Sequence, residues 1–169
     1  MVRTPHVSKP TAQWRVMSES LLATLKTLHL VAGILFVGNV IVTGVWSGVL
    51  FRVRATHDFR AAARAIVLTD WLFTFGGGGL LVGSGIALAM GRGFPIWGTP
   101  WIRLAVIALA LSTLVWLIVL VPAQRVMLHT DPADDRQLAR AYHRWNITGW
   151  IATVPLLFAV WCMVAKPGS

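Results

Sequence analysis

Four long stretches without a charged residue constrain this chain more than any other feature of its sequence. They cover residues 27–51, 71–90, 104–123 and 146–165. Each is long enough to cross the hydrocarbon core of a bilayer, which takes about 20 apolar residues. Because a backbone amide in hydrocarbon must be hydrogen-bonded within its own segment, all four stretches are predicted to be α-helices.

Composition supports a membrane protein and excludes several other classes. The chain is 56% hydrophobic and only 12% charged, whereas a soluble domain has about 25% charged residues. These figures exclude a soluble enzyme and a disordered chain, and the single cysteine, Cys162, excludes a disulfide scaffold. The net charge of +9 comes from basic residues between the uncharged stretches, a pattern that favours anionic lipid over nucleic acid as a partner.

The connections between the stretches are short, so neighbouring helices should run antiparallel. The predicted fold is therefore all-α, an antiparallel bundle of four transmembrane helices formed by residues 21–169. Residues 1–20 show no hydrophobic periodicity for most of their length and are predicted to be a disordered N-terminal tail.

Basic residues give the predicted orientation. The connections after the first and third stretches are rich in arginine: Arg52, Arg54, Arg60 and Arg64 in one, Arg125, Arg136, Arg140 and Arg144 in the other. Without the N-terminal tail, the opposite face carries fewer: Lys26, Arg92, Arg103 and Lys166. Because cytoplasmic loops are enriched in lysine and arginine, we expect both Arg-rich connections in the cytoplasm of a bacterial inner membrane and both termini outside.

Small residues indicate where helices can approach closely. Gly44 and Gly48 form a G-x-x-x-G pattern in the first stretch, and Gly79 and Gly83 form another in the second. Such patterns let transmembrane helices pack backbone to backbone. We expect them to pack spans one and two together or to form a homodimer face, and the alternative is a flat wall for a planar cofactor.

His29 is the candidate ligand residue. It lies just inside the first uncharged stretch, and Gly33 follows it by one helical turn. A histidine with a glycine one turn along leaves room for a porphyrin edge, so His29 is a candidate axial ligand and Gly33 a candidate cofactor-binding residue. Neutral imidazole also suits copper or zinc. The alternative is an interfacial histidine that is hydrogen-bonded to a neighbouring helix or to water.

A few other residues inside the stretches or directly beside them are candidate functional or packing residues. Asp70 immediately precedes the second stretch and is predicted to lie at a helix N-terminus, paired with Arg64 or Arg144; a role in proton transfer is the alternative. Asn39 lies near the middle of the first stretch and should make interhelical hydrogen bonds. Trp116 lies deep in the third and should pack between helices. The sequence contains no catalytic triad, phosphate-binding loop or Cys-x-x-Cys motif.

Several motifs resemble a known family. They are Leu25-Lys26-x-x-His29, Phe36-Val37-Gly38-Asn39, Thr69-Asp70-Trp71-Leu72-Phe73-Thr74, Pro122-x-Gln124-Arg125 and Arg144-Trp145. From residue 21 to residue 167 the chain resembles the bacterial integral membrane proteins of the DUF2269 family (domain of unknown function). More distantly, the first span is similar to those of copper-resistance D proteins and HemJ-type protoporphyrinogen oxidases.

The resemblance to HemJ-type proteins implies a role for one residue. Their first helix carries an early histidine that is associated with b-type haem, and His29 matches it. We therefore expect an inner-membrane protein that binds haem b through His29, for electron transfer or redox-linked membrane metabolism. A non-catalytic membrane subunit or scaffold is the second interpretation, and copper transport is the third. The expected partners are the lipid bilayer and either a second copy or a larger membrane complex.

Overall fold

The computed structural model describes residues 17–56, 58–131 and 133–169, and these ranges contain helices and no strands. The elements in chain order are α1 (Glu19–Arg52), α2 (Phe59–Thr69), a π-helical segment π1 (Asp70–Gly76), α3 (Gly77–Gly91), α4 (Pro100–Val115), a second π-helical segment π2 (Trp116–Leu120), α5 (Val121–His129) and α6 (Asp135–Ala165).

These elements form four continuous helical rods. α2, π1 and α3 join into one rod, Phe59–Gly91, and α4, π2 and α5 join into another, Pro100–His129. With α1 and α6, the described residues contain four helices long and apolar enough to cross a membrane. The predicted all-α fold with four transmembrane helices is confirmed.

The rods run antiparallel in sequence order. His29 of α1 contacts Leu81, and Asn39, further along α1, contacts Asp70, which precedes Leu81 in the second rod. The third rod and α6 also run antiparallel: Ser112 donates to the Ala152 carbonyl, and Leu120, further along the third rod, lies 3.7 Å from the Cβ position of Gly149. α6 also contacts α1. Large apolar side chains such as Ile34 (71% exposed) and Val164 (79% exposed) cover the outside of the bundle, as expected of a surface that faces lipid.

Both Arg-rich connections are shorter than the sequence indicates, because charged residues lie on helix extensions. The Asp58 carboxylate accepts a hydrogen bond from the Arg60 backbone N–H at 2.9 Å and caps α2. Arg60 and Arg64 therefore lie on α2, not in a loop, and Asp70 lies within the second rod. The prediction that Asp70 opens a helix is wrong.

The first helix begins with a serine cap. Ser18 caps α1 and accepts a hydrogen bond from the Leu21 backbone N–H at 3.3 Å, so the helix begins at Glu19, two residues before the predicted start of the transmembrane domain. The predicted disordered tail, residues 1–20, lies mostly outside the described residues.

The glycine patterns pack differently from one another. A Cβ atom at Gly44 would lie 3.2 Å from the Trp150 ring, and one at Gly48 would lie 3.5 Å from the Tyr142 hydroxyl. Both tyrosine and tryptophan belong to α6, so the first G-x-x-x-G pattern packs span one against span four and not against span two. The second pattern, Gly79 and Gly83, has no described atom within 4 Å of its Cβ positions.

Candidate functional site

Two polar clusters lie between the helices, and both involve α1 and the second rod. The first, the His29 site, consists of His29, Leu81, Ser84 and Gly85. The second, the Asp70 site, consists of Asp70 and the four residues that donate hydrogen bonds to it: Asn39, Thr74, Trp116 and Gln124.

The His29 imidazole is half-buried and hydrogen-bonded to α3. Its Nδ1 lies 2.9 Å from the Leu81 carbonyl oxygen and 3.2 Å from the Ser84 hydroxyl oxygen. Because a carbonyl oxygen only accepts, we assign the ring hydrogen to Nδ1, which donates it to Leu81. The other ring nitrogen, Nε2, then carries a lone pair, and it has no hydrogen-bond partner among the described residues.

Gly85 lets the imidazole approach α3. A Cβ atom at this position would lie 3.0 Å from His29 Cε1 and 3.4 Å from Nδ1. Gly33, the predicted cofactor-binding residue, also faces the second rod: the Leu81 side chain lies 3.5 Å from its Cβ position. Gly33 and His29 therefore contact the same partner residue, and the role of Gly33 in cofactor binding stays a prediction.

The other described histidines lie away from this site. His129 donates from Nδ1 to the Arg125 carbonyl oxygen at 2.7 Å, and both His129 and His143 are exposed near the Arg-rich connections. His57 lies outside the described residues. In the part of the chain that the structure describes, no group of three His, Cys, Asp or Glu side chains could hold a metal ion.

Asp70 is the most buried charged residue that the structure describes, at 6% exposed. Its Oδ1 accepts hydrogen bonds from Asn39 Nδ2 at 3.4 Å and Thr74 Oγ1 at 3.2 Å. Its Oδ2 accepts from Trp116 Nε1 at 3.2 Å and Gln124 Nε2 at 2.5 Å. Four donors fill the roughly four acceptor positions of a carboxylate.

The predicted partners of Asp70 were wrong. Neither Arg64 nor Arg144 pairs with it; both are exposed, and the one ion pair in the described ranges joins Arg54 to Asp135 at 2.7 Å. The expected interhelical role of Asn39 is confirmed, since it donates to both Asp70 and Thr74. The expected interhelical position of Trp116 is also confirmed.

Both π-helical segments contribute to the Asp70 site. π1 supplies Asp70 and Thr74, and π2 supplies Trp116. A π-helical turn holds one residue more than an α-helical turn, and such turns are frequent at functional sites. The sequence carries no signal for these segments, although polar residues in or directly beside three separate apolar stretches (Asn39, Thr74 and Gln124) are consistent with a shared cluster.

A cavity of about 40 Å³ adjoins the carboxylate of Asp70. Its polar wall includes Thr43, Thr74 and Asn146, and its aromatic wall consists of Trp116, Trp145 and Trp150. Trp145 is 5% exposed, and its indole N–H has no hydrogen-bond partner among the described residues. The volume holds roughly three water molecules, at about 10–15 Å³ each.

Comparison with known proteins gives one match. A family model described as a predicted integral membrane protein (DUF2269) matches residues 23–167. No curated protein matches the chain, and no solved structure matches it. The expected similarity to copper-resistance D and HemJ-type proteins stays a prediction.

Proposed function

This chain belongs to the DUF2269 family of predicted integral membrane proteins, and we propose that it binds b-type haem through His29 and transfers electrons in redox-linked membrane metabolism. The observation that carries the proposal is the hydrogen bond from His29 Nδ1 to the Leu81 carbonyl. Histidines that ligate metals commonly donate a hydrogen bond from the N–H of their second ring nitrogen to a backbone carbonyl in this way.

The residues around His29 suit an axial ligand. The bond to Leu81 fixes the tautomer and makes Nε2 more basic, and Nε2 is the atom that would donate to iron. Contact with Gly85 limits rotation of the ring. Haem supplies one-electron chemistry when bound. The described residues favour no specific copper site, so copper transport has no supporting observation of its own.

We also propose an orientation and an oligomeric state. The Arg-rich ends of the rods lie in the cytoplasm of a bacterial inner membrane and the termini lie outside, in accord with the distribution of arginine. His29 then lies in the outer half of the bilayer. A homodimer is supported by the open face at Gly79 and Gly83, which small residues make suitable for helix packing.

An absorption spectrum of the detergent-solubilised protein tests the haem proposal. Protein expressed with ample haem should show a Soret band. The band should disappear in His29→Ala and persist in His143→Ala, which removes an exposed imidazole at the other end of the bundle. Circular dichroism and gel filtration of both variants check that each is folded.

Other outcomes identify the competing interpretations. A colourless, folded wild-type preparation would refute the haem proposal. Copper in that preparation by elemental analysis, lost in His29→Ala, would support copper handling. A preparation with neither haem nor metal would favour a non-catalytic subunit or scaffold.

A further inference from the structure

We propose that Asp70 is a reversible proton-binding site inside the bundle, that the proton binds Oδ1, and that the Thr74 hydroxyl then changes from hydrogen-bond donor to acceptor. The inference rests on the Asp70 site alone and is independent of haem binding at His29.

The Asp70 carboxylate has no cationic partner among the described residues. All four groups that donate to Asp70 are neutral. The titratable groups of the elements packed around it form no described ion pair or hydrogen bond with it. They are Glu19, Lys26, His29 and Arg52 on α1, Arg60 and Arg64 on α2, Arg103 on α4, Arg125 and His129 on α5, and Asp135, Arg136, Arg140, Tyr142, His143, Arg144 and Cys162 on α6. Neutral donors stabilise a carboxylate but leave its charge in place, and an uncompensated charge inside a membrane protein is costly. A bound cation removes that cost.

The surroundings select a proton over other cations. A magnesium or calcium ion needs about six oxygen ligands, whereas the groups around Asp70 present N–H and O–H donors. The Asn39 side-chain oxygen is already engaged, since it accepts from Thr43 Oγ1 at 3.2 Å. The cavity of about 40 Å³ admits water but is too small for an organic cation, because even benzene occupies a cavity of roughly 150 Å³.

The partners of each oxygen identify the atom that binds the proton. Oδ2 accepts from the Trp116 indole and the Gln124 amide nitrogen, and both groups can only donate. Oδ1 accepts from the Asn39 amide nitrogen, which can only donate, and from the Thr74 hydroxyl, which can donate or accept. When a proton that enters the cavity as hydronium binds Oδ1, it leaves a neutral water behind, and the new O–H donates to Thr74 Oγ1. The Thr74 hydroxyl hydrogen then turns toward the cavity, which this residue also lines.

A row of polar residues indicates the side from which the proton arrives. Asn39, Thr43 and Ser47 follow each other at intervals of four along α1, and Ser47 Oγ lies 3.4 Å from the Tyr142 hydroxyl. The row covers about 12 Å at 1.5 Å per residue and leads from Asp70 toward the Arg-rich end. In this proposal the row is the route by which protons reach Asp70 from that end of the bundle.

Infrared spectroscopy of the full-length protein in lipid, measured over a pH series, tests the proposal. A carboxylic acid C=O band should appear on acidification in the wild type and be lost in Asp70→Asn. In Thr74→Val it should move to higher wavenumber, because the acid O–H has lost its acceptor. Thr74→Ser keeps the hydroxyl and should keep the wild-type band.

Thr113→Val is the matched control, because Thr113 is exposed and its hydroxyl bonds only to the Leu109 carbonyl of its own helix. It should leave the band unchanged. Two results would overturn the proposal: no titrating band that depends on Asp70, or a band at the same wavenumber in Thr74→Val and wild type. If Asp70→Asn does not fold, the comparison of Thr74→Val with Thr74→Ser decides alone.

Discussion

Gly85→Ala should leave the bundle less stable than the same substitution two residues earlier, Gly83→Ala. Both glycines lie in α3, and both substitutions gain helix propensity, by about 1 kcal/mol. They differ in what the new methyl group meets. At Gly83 no described atom lies within 4 Å, and at Gly85 the His29 ring lies at 3.0 Å.

The size of the effect follows from that distance. Carbon atoms pack best at about 3.5–4.0 Å, so the imidazole must move by several tenths of an ångström. Overpacking of this kind costs at least about 1 kcal/mol. The movement also lengthens the bond from His29 Nδ1 to the Leu81 carbonyl, now 2.9 Å, and an interhelical hydrogen bond in a membrane contributes roughly 0.6 kcal/mol. We expect the free energy of unfolding of Gly85→Ala to lie about 1–2 kcal/mol below that of Gly83→Ala.

Equilibrium unfolding in detergent, followed by circular dichroism, measures the difference directly. Wild type, Gly83→Ala and Gly85→Ala are compared in the same detergent at the same protein concentration. Equal stability of the two variants would refute the reasoning, because it would mean that the imidazole is not held against Gly85. The orientation that the haem proposal requires would then lose its physical basis.

Two further predictions concern other parts of the bundle. Gly44→Ala should lower the thermal unfolding midpoint, because its methyl group would lie 3.2 Å from the Trp150 ring. Gly48→Ala should be tolerated, since the atom nearest to its methyl group lies at 3.5 Å. Equal midpoints for the two variants would contradict this account of the α1–α6 contact. Outside the membrane, the Arg54 guanidinium holds the pKa of Asp135 below its usual value. The ion pair therefore stabilises the fold above the ordinary aspartate pKa, and this stabilisation is lost as pH falls through the lowered pKa. The small difference in unfolding midpoint between wild type and Asp135→Asn should therefore vanish on acidification. A difference that persists at low pH would exclude the ion pair as its source.

The spans could be predicted from sequence because crossing a bilayer requires a long run of residues without charge, and such runs are visible in the sequence. The ends of the helices could not, since charged residues such as Arg60 and Arg64 extend a helix beyond the membrane as readily as they form a loop. The cap at Asp58 decides the boundary, and capping residues also occur commonly in turns.

His29 was found because an imidazole in an apolar stretch is rare. Its partner was not found, because the acceptor is the backbone carbonyl of Leu81, and every residue carries such a group. The packing of Gly44 against Trp150 was missed for a related reason: a small-residue pattern indicates that some helix approaches closely but does not identify the helix.

Asp70 shows where charge complementarity misleads. The sequence suggested Arg64 and Arg144 as partners, but both side chains are exposed on the outside of the bundle, as is usual for long charged side chains. The carboxylate faces the interior, where three helices present neutral donors. The π-helical segments add one residue to a turn and thereby shift which side chains face inward, and neither hydrophobicity nor residue spacing reveals such a shift.

The two sites share α1 and the second rod but lie apart along them. His29 and Asn39 are ten residues apart on α1, which corresponds to about 15 Å along the helix axis. Sites separated by more than about 7–10 Å without shared partners usually respond independently to substitution. A change at Gly85 should therefore leave the carboxyl band of Asp70 in place, and a change at Thr74 should leave the His29 imidazole on α3. The proposed electron transfer at His29 and the proposed proton binding at Asp70 are therefore expected to be lost separately.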